Sequence, residues 1–345
     1  MDNAGLIGKF KVNRPLTEIE KEHHLKQKQR IDISPHYQLS VIKLNSTYLE
    51  SVDKWYGDKG TITMIGIVFL SIFSTGALMI ISMMLSRAFG STPWDSTGGN
   101  YFFHASMITL IFAPIIWGLV WFLKKESFTY THYPIRFNRR SRKVHFFETD
   151  GNVSSVEWDD VYFTLAQVDN VHKFWNIFGH VLDNNRSTVL KSFALSFKGT
   201  GDPEGISLMK SHWEFVRRYM EDGPEEVSEQ VQYCLPISET RESFLFGVRR
   251  LLANNSGAPK LLLPFILTSM IFDIVTVPFR YFAIQTSKIP QWPARVEEES
   301  HVEVGDPYAI VGMSDGKRKA VFPGATEETR FNFSSPANRE SDINS

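Results

Sequence analysis

Two stretches of this chain contain no charged residue: Thr61–Leu85 and Ala105–Leu123. A helix needs about 20 mostly apolar residues to cross a bilayer core, and each run is near that length. Buried helices of a soluble protein usually keep a polar face. These runs carry only scattered Ser, Thr and Gly, which membrane helices use for close packing. Pro114 fits such a helix, because neighbouring groups can satisfy the carbonyl it frees. The sequence therefore predicts transmembrane helices over 61–86 and 105–123, joined by an external loop over 87–104. Both runs lie far from Met1 and no cleavage pattern precedes them, so the first reads as an internal anchor rather than a signal peptide.

Whole-chain averages conceal this pattern. The 345 residues are 43% hydrophobic and 22% charged, with a net charge of −1 and one cysteine. One cysteine excludes an intrachain disulfide framework and a Cys-rich zinc site. A near-zero net charge argues against a nucleic-acid partner, whose footprint would be basic. The local charges set an orientation. Lys43, Lys54 and Lys59 precede the first run, and Lys124, Lys125, Arg136, Arg139, Arg140, Arg142 and Lys143 follow the second. The loop between them holds only Arg87 and Asp95. Basic residues stay on the cytoplasmic side, so both the N-terminal segment over 1–60 and the large C-terminal part are expected there. Trp55, Tyr56, Trp94, Tyr101 and Trp121 lie near the expected boundaries, where aromatic rings favour the headgroup region.

A third apolar run, Leu261–Ile284, contains Asp273, Arg280, Pro264 and Pro278, with basic residues on both flanks. It fits a third span, an in-plane or re-entrant helix, or a core helix of the soluble part. The internal charges favour the second reading, an interfacial or re-entrant helix that returns the tail to the cytoplasm. Asp273 then sits on a wet helix face or pairs with Arg280. The preceding segment SETRESFLFGVRRLLAN is a basic amphipathic helix, so 238–284 reads as one amphipathic plus apolar unit.

The first sixty residues read as peripheral. Thr17 and Glu20 fit a capping box, followed by the solvated stretch EKEHHLKQKQR. Leu39, Ile42, Leu44, Leu49, Val52 and Trp55 suggest an amphipathic lead-in to the first span. Beyond the second span, Ile135–Phe137 and Val144–Phe147 flank NRRSRK, a hairpin pattern. Asp150-Gly151 marks a turn. Val156, Trp158, Val161 and Phe163 are expected inward, and Phe193, Leu195 and Phe197 alternate with Ala194 and Ser196. Then Asp202-Pro203 opens a helix with an apolar stripe at Met209, Trp213, Val216 and Met220, stopped by Gly223-Pro224. The expected fold is membrane α plus α+β: two transmembrane helices, then a small antiparallel β-sheet or half-barrel capped by a helix over 130–224. The tail over 285–345 is Pro-rich, then acidic, and is expected to be largely disordered, from about residue 313 where apolar periodicity is lost.

The order PIRFNRRSRKVHFF, VEWDDV, WEFVRRYM over about residues 130–222 resembles the pleckstrin-homology-like domains that bacteria attach to membrane helices. With the two spans, the late apolar segment and the tail IPQWPARVEEES…VGDPYAI, residues 40–312 also resemble an uncharacterised proteobacterial inner-membrane family found near type VI secretion effector loci. That resemblance implies an accessory, adaptor or immunity role at the inner membrane and carries over no catalytic residue.

Tests for chemistry return little. Asp159 and Asp160 are adjacent and would point to opposite faces of a strand. His172 and His180 fit no compact zinc spacing, so no metal or cofactor is expected, and no nucleotide-binding or nucleophile-elbow motif occurs. Cys234 reads as a small buried residue. The best candidate is the basic cluster Arg136, Arg139, Arg140, Arg142 and Lys143, expected to contact membrane lipid headgroups or an acidic protein partner. The leading expectation is a non-enzymatic inner-membrane protein presenting a cytoplasmic interaction domain. One alternative is a membrane-bound hydrolase or transferase using His172, His180 or Asp160, which requires these side chains to converge. The other is a small channel with Asp273 along a hydrated path.

Overall fold

Strand pairing in this chain closes across the apolar helices rather than after them. The computed structural model describes residues 10–89, 101–167, 174–231, 233–253 and 263–311. Near the N-terminus come β1 (Arg14–Pro15), α1 (Glu18–Glu22), β2 (His24–Leu25), β3 (Val41–Leu44) and β4 (Tyr48–Ser51). The helices α2 (Thr61–Phe89) and α3 (Tyr101–Leu123) follow, then β5 (Ile135–Asn138), β6 (Lys143–Phe147) and β7 (Val153–Glu157). β4 and β5 are antiparallel neighbours, with Tyr48 opposite Asn138 and Ser51 opposite Ile135. The helical hairpin is therefore an insertion between two adjacent strands.

Two antiparallel sheets result. One has the order β11-β3-β4-β5-β6-β7, where β11 is Ile310–Val311. The other contains β8 (Val161–Gln167), β9 (Trp175–Leu182) and β10 (Thr188–Gly199) in the order β1-β10-β9-β8-β2. The helix α4 (Pro203–Glu221) packs on their shared core. Its start is fixed locally: the Asp202 carboxylate accepts from the Gly205 N–H, and Pro203 occupies the first turn. The expected stripe of Met209, Trp213, Val216 and Met220 is buried. Trp213 stacks on Trp158 at 5.8 Å and meets Phe163 at 4.7 Å, at the centre of the core. The expected hairpin, the turn at Gly151 (φ 89°) and the inward Trp158, Val161 and Phe163 are all present.

Two expectations are corrected. Residues 39–56 are not a helical lead-in: they form the β3–β4 hairpin, and Leu39, Ile42, Leu44, Leu49 and Val52 are all buried in the core. Residues 10–25 are not a solvated peripheral helix. The capping box of Thr17 and Glu20 is present, but α1 stops at Glu22, and β1 and β2 strap the second sheet along both edges. The domain thus begins well before residue 130. The tail is ordered as far as Val311: α8 (Ala294–Glu299) and β11 lie along the first sheet, and β11 pairs with β3. Residues 312–345 lie outside the described residues.

The α2 and α3 helices pack as a hairpin, with Phe73 against Phe112 and Gly66 against Leu123. Both are long and apolar enough to cross a membrane. Leu78, Met79, Leu110, Ile111 and Trp117 point outward with no protein cover. The third apolar run forms one continuous helix, α7 (Leu263–Thr286), preceded by α6 (Phe244–Ala253). The short helix α5 (Glu225–Gln230) follows α4.

Candidate functional site

The strand directions place the basic hairpin. Chain direction takes β4 toward α2 and brings β5 back from α3, so Ser51 and Ile135 lie nearest the helices. The β3–β4 turn at Asn45–Thr47 and the β5–β6 turn at Arg139–Arg142 therefore lie at the opposite end of the sheet. The basic tip is turned away from the apolar hairpin.

The five basic residues have separate fates. Arg136 is 2% exposed and is held from all sides. Its Nε and Nη2 donate to Glu50 Oε2 at 3.0 and 2.8 Å, and its Nη1 and Nη2 donate to Glu297 at 3.2 and 3.1 Å. Its guanidinium lies between the rings of Tyr48 and Trp292, at 4.3 and 4.6 Å. The Trp292 indole N–H also donates to Glu50 Oε2 at 3.1 Å. Burial disfavours the charge on Arg136, but Glu50 and Glu297 outweigh it and hold the guanidinium protonated more firmly than usual. Burial pushes the nearby Tyr48 phenol up to about 12.

Lys143 donates to Glu299 at 3.1 Å, and Arg140 faces Glu303 at 3.8 Å with both side chains largely in water. Arg142 takes the other direction: it binds Asp159 through Nε and Nη2 at 2.9 and 2.8 Å, and Glu221 at 2.8 Å. It thus ties the hairpin to the end of α4. Among the described residues, no carboxylate lies within 4 Å of the Arg139 guanidinium. Arg139 and Arg140 border a polar cavity of about 420 Å³ with Ser46, Thr47 and the loop Glu303–Pro307. The Asp306 carboxylate in that loop accepts from Ser46 N, Ser46 Oγ and Tyr308 N, each at 2.8 Å.

The basic cluster is therefore not an open platform. Arg136 and Lys143 are covered by the acidic strap, and Arg142 is structural. Opposite charge allows the acidic tail to dock on the basic hairpin, but the sequence alone does not single out Trp292, Glu297 and Glu299 as the residues that do so. Their signal was the charge asymmetry itself, an acidic VEEES run in a chain with a matching basic cluster.

The profile of a protein family described as a family of unknown function, DUF6708, matches residues 112–304, more than half of the chain. The chain belongs to the DUF6708 family. The DUF6708 match starts inside α3, covers the basic hairpin, and ends inside the loop that borders the cavity. Glu50, the buried partner of Arg136, lies outside the DUF6708 match. No curated protein and no solved structure matches the chain.

The other candidates do not converge. His172 lies outside the described residues. His180 is buried on the outer face of the second sheet: Nδ1 lies 2.8 Å from Ser192 Oγ, and Nε2 lies 3.2 Å from Glu20 Oε1. Glu20 also accepts from Arg14 at 2.8 and 2.6 Å. Burial would raise the Glu20 carboxyl, but His180, Arg14 and the Thr17 N–H hold it far below the usual carboxylate range. This chain of groups locks the N-terminal strap. Asp160 is exposed, 3.9 Å from Arg186, and is no part of that cluster. A parallel arrangement occurs on the first sheet, where His145 Nδ1 lies 2.7 Å from Ser155 Oγ and Nε2 lies 3.8 Å from Glu299. Cys234 is buried as expected. Among the described residues, no group of His, Cys, Asp and Glu is placed to hold a metal. Arg280 does not pair with Asp273. It donates to both oxygens of Glu242, at 2.9 and 2.7 Å, and to the Tyr56 carbonyl at 2.9 Å.

Proposed function

We propose that this protein is a non-enzymatic, multi-pass protein of the bacterial inner membrane that presents a pleckstrin-homology-like interaction domain to the cytoplasm. In this reading, α2 and α3 span the bilayer, and both the N-terminal segment and the large C-terminal part are cytoplasmic. One observation carries it. The apolar hairpin leaves the domain between two hydrogen-bonded strands, and the basic tip lies at the other end of the same strands. Such a tip is held away from the bilayer and toward soluble partners. The ligand it suits is an acidic protein surface, met by Arg139 and Arg140. Within the six-stranded and five-stranded antiparallel sheets, the consecutive strands β4–β7 and β8–β10 with the closing helix α4 support the pleckstrin-homology-like likeness.

The test is co-purification from membranes of the full chain and of the double variant Arg139→Glu/Arg140→Glu. Loss of an acidic partner with unchanged membrane content supports the reading. An unchanged set of partners overturns it. A type VI secretion-associated immunity or accessory role is part of the same proposal. Deleting the gene should sensitise cells to a neighbouring effector, and re-expression should protect them. Reporter fusions after residues 95 and 230 test the topology: an external signal at 95 and a cytoplasmic one at 230 are expected.

A further inference from the structure

The helix α7 meets α2 at its first turn. A Cβ at Gly60 would lie 2.6 Å from the backbone N and Cα of Arg280. The Thr276 hydroxyl lies 3.5 Å from Met64 Sδ. Moving back along α7 from 280 to 276 moves forward along α2 from 60 to 64, so the two helices run antiparallel there. The N-terminal part of α7 therefore continues in the direction of α2, toward its far end. Its Ile271, Phe272, Ile274 and Val275 are about half exposed or more, a surface that a soluble core helix would bury.

Both flanks of this helix lie on the domain side. After α7, Lys288 exchanges backbone hydrogen bonds with Thr129 and Thr131, at 2.9 and 2.8 Å, just beyond the end of α3. Before it, Glu242 binds Arg280, and the Arg250 guanidinium lies 5.8 Å from the Tyr56 ring. Chain that starts and ends on one side of a bilayer makes no net crossing. α6 itself sits at the level of residues 56–60, just before α2 begins. It turns Gly247 toward Arg280 and Phe246 toward the domain core, and it exposes Phe244, Leu245 and Arg249. At the same level the rings of Phe244 and Tyr281 meet at 5.8 Å, and those of Phe128 and Phe282 at 6.0 Å. Lys125 lies over Trp121 at 4.6 Å. Aromatic rings and cations at the ends of apolar helices match the headgroup layer.

We infer that α6 and α7 form a seat for a lipid bilayer with both flanks on the domain side: α6 lies in the headgroup layer, and α7 runs as one helix through the apolar layer back to that side. This rests on the reading that α2 and α3 span the membrane. The seat gives the domain a third attachment beside the two connections to the helical hairpin.

The test uses the full chain with Cys234→Ser in vesicles of phosphatidylethanolamine and phosphatidylglycerol. Single cysteines replace Leu110, Ile274, Leu245 and Arg140 and carry a nitroxide. Oxygen collision at 110 and 274 should exceed that at 140 several-fold, with 245 between them, while a water-soluble nickel chelate gives the reverse order. In intact spheroplasts, cysteines at Glu239 and Lys288 should both resist an impermeant maleimide and both react after permeabilisation. If 110 lies in lipid but 274 and 245 match 140, the seat is refuted and the two spans stand. Opposite labelling of 239 and 288 makes α7 a third span and overturns the re-entrant path. Water exposure at 110 overturns the membrane reading together with the seat.

Discussion

Replacing Arg136 with alanine should be among the most damaging single changes in the domain. The side chains of Arg136 and Glu50 are 2% and 4% exposed, so the change strands a carboxylate with the Trp292 N–H as its remaining side-chain donor. Removing one member of a buried ion pair costs about 3–5 kcal/mol, far more than the intact pair contributes, because the survivor keeps its desolvation penalty. Losing the stacked guanidinium from two rings adds about 1 kcal/mol. At roughly 2–4 °C per kcal/mol for a domain of this size, the melting temperature should drop by about 8 °C or more. Glu297→Gln is the control: Glu297 is 54% exposed and its pairing contributes about 1 kcal/mol or less. The assay is thermal unfolding of the full chain in detergent, followed by tryptophan fluorescence, with trypsin sensitivity of the 285–311 strap measured in parallel. Arg136→Ala with Glu50→Gln removes both charges and should recover much of the loss. Arg136→Lys should fall between, because a point charge cannot replace a stacked fork. If Arg136→Ala costs no more than Glu297→Gln, or if the double variant is as poor as the single one, the buried-charge account is refuted.

Gly60→Ala should unseat α7, since Gly60 has φ 103° and lies against the Arg280 backbone. A loss of about 1–3 kcal/mol is expected from backbone strain, and a disulfide between cysteines at Met64 and Thr276 should no longer form efficiently. Glu20→Ala should release the N-terminal strap. A buried-pair cost of at least 3 kcal/mol is about a hundredfold in open population, readable as faster tryptic cleavage at Lys21 and Lys26. Acid should destabilise the domain before its carboxylates titrate. Burial pushes His145 and His212 from 6.5 down to about 4. Between those values the unfolded chain binds more protons, so the histidines lower stability as pH drops from about 6.5 to 4; below that their contribution is constant, and protonation of carboxylates held low in the fold, such as Glu20, continues the loss. His145→Gln should flatten part of that slope in melting curves taken across the range.

Local features were legible and distant ones were not. The α4 stripe, its Asp202-Pro203 start and the Arg139–Arg142 turn need only neighbouring residues, and all appear as read. The β3–β4 hairpin is local, but each strand takes its second neighbour from far along the chain: β4 pairs with β5 beyond the whole helical hairpin, and β3 with β11 near residue 310. The apolar residues of 39–56 therefore face a core built by distant strands, which their own spacing does not show. The Thr17–Glu20 box was visible, but the burial of Glu20 depends on His180 and Arg14, which only the fold brings there. The basic cluster is legible as a composition, but which of its members are covered is not. Arg136 and Lys143 meet an acidic strap more than 150 residues away in sequence. Its docking was conceivable from opposite charges alone, yet nothing local selected it over disorder.

The insertion point has a mechanical consequence. A domain joined to a membrane helix by one flexible linker samples many orientations, and its surface charges find the bilayer by chance. Here the chain enters the apolar hairpin at the end of β4 and leaves it into β5, two strands that share a hydrogen-bonded ladder. Both connections, residues 52–60 and 124–134, are internally tied. The Asp53 carboxylate accepts from Trp55 and Tyr56 on one side and from Tyr133 on the other, and buried Lys59 donates to the Glu126 and Tyr130 carbonyls. Burial lowers the pKa of Lys59, while Glu126 and Asp53 oppose that shift and favour its charge. Separating the two helix ends would break these bonds before it bent a linker. A rotation or separation of α2 and α3 should therefore reach the β4–β5 ladder directly. The tip at the other end of that ladder holds Arg139, Arg140 and the edge of the acidic strap, where the Arg140–Glu303 pair is weak and exposed. Rigid coupling at one end and loose electrostatic cover at the other make that tip the part of the domain most easily altered by a change in the helices.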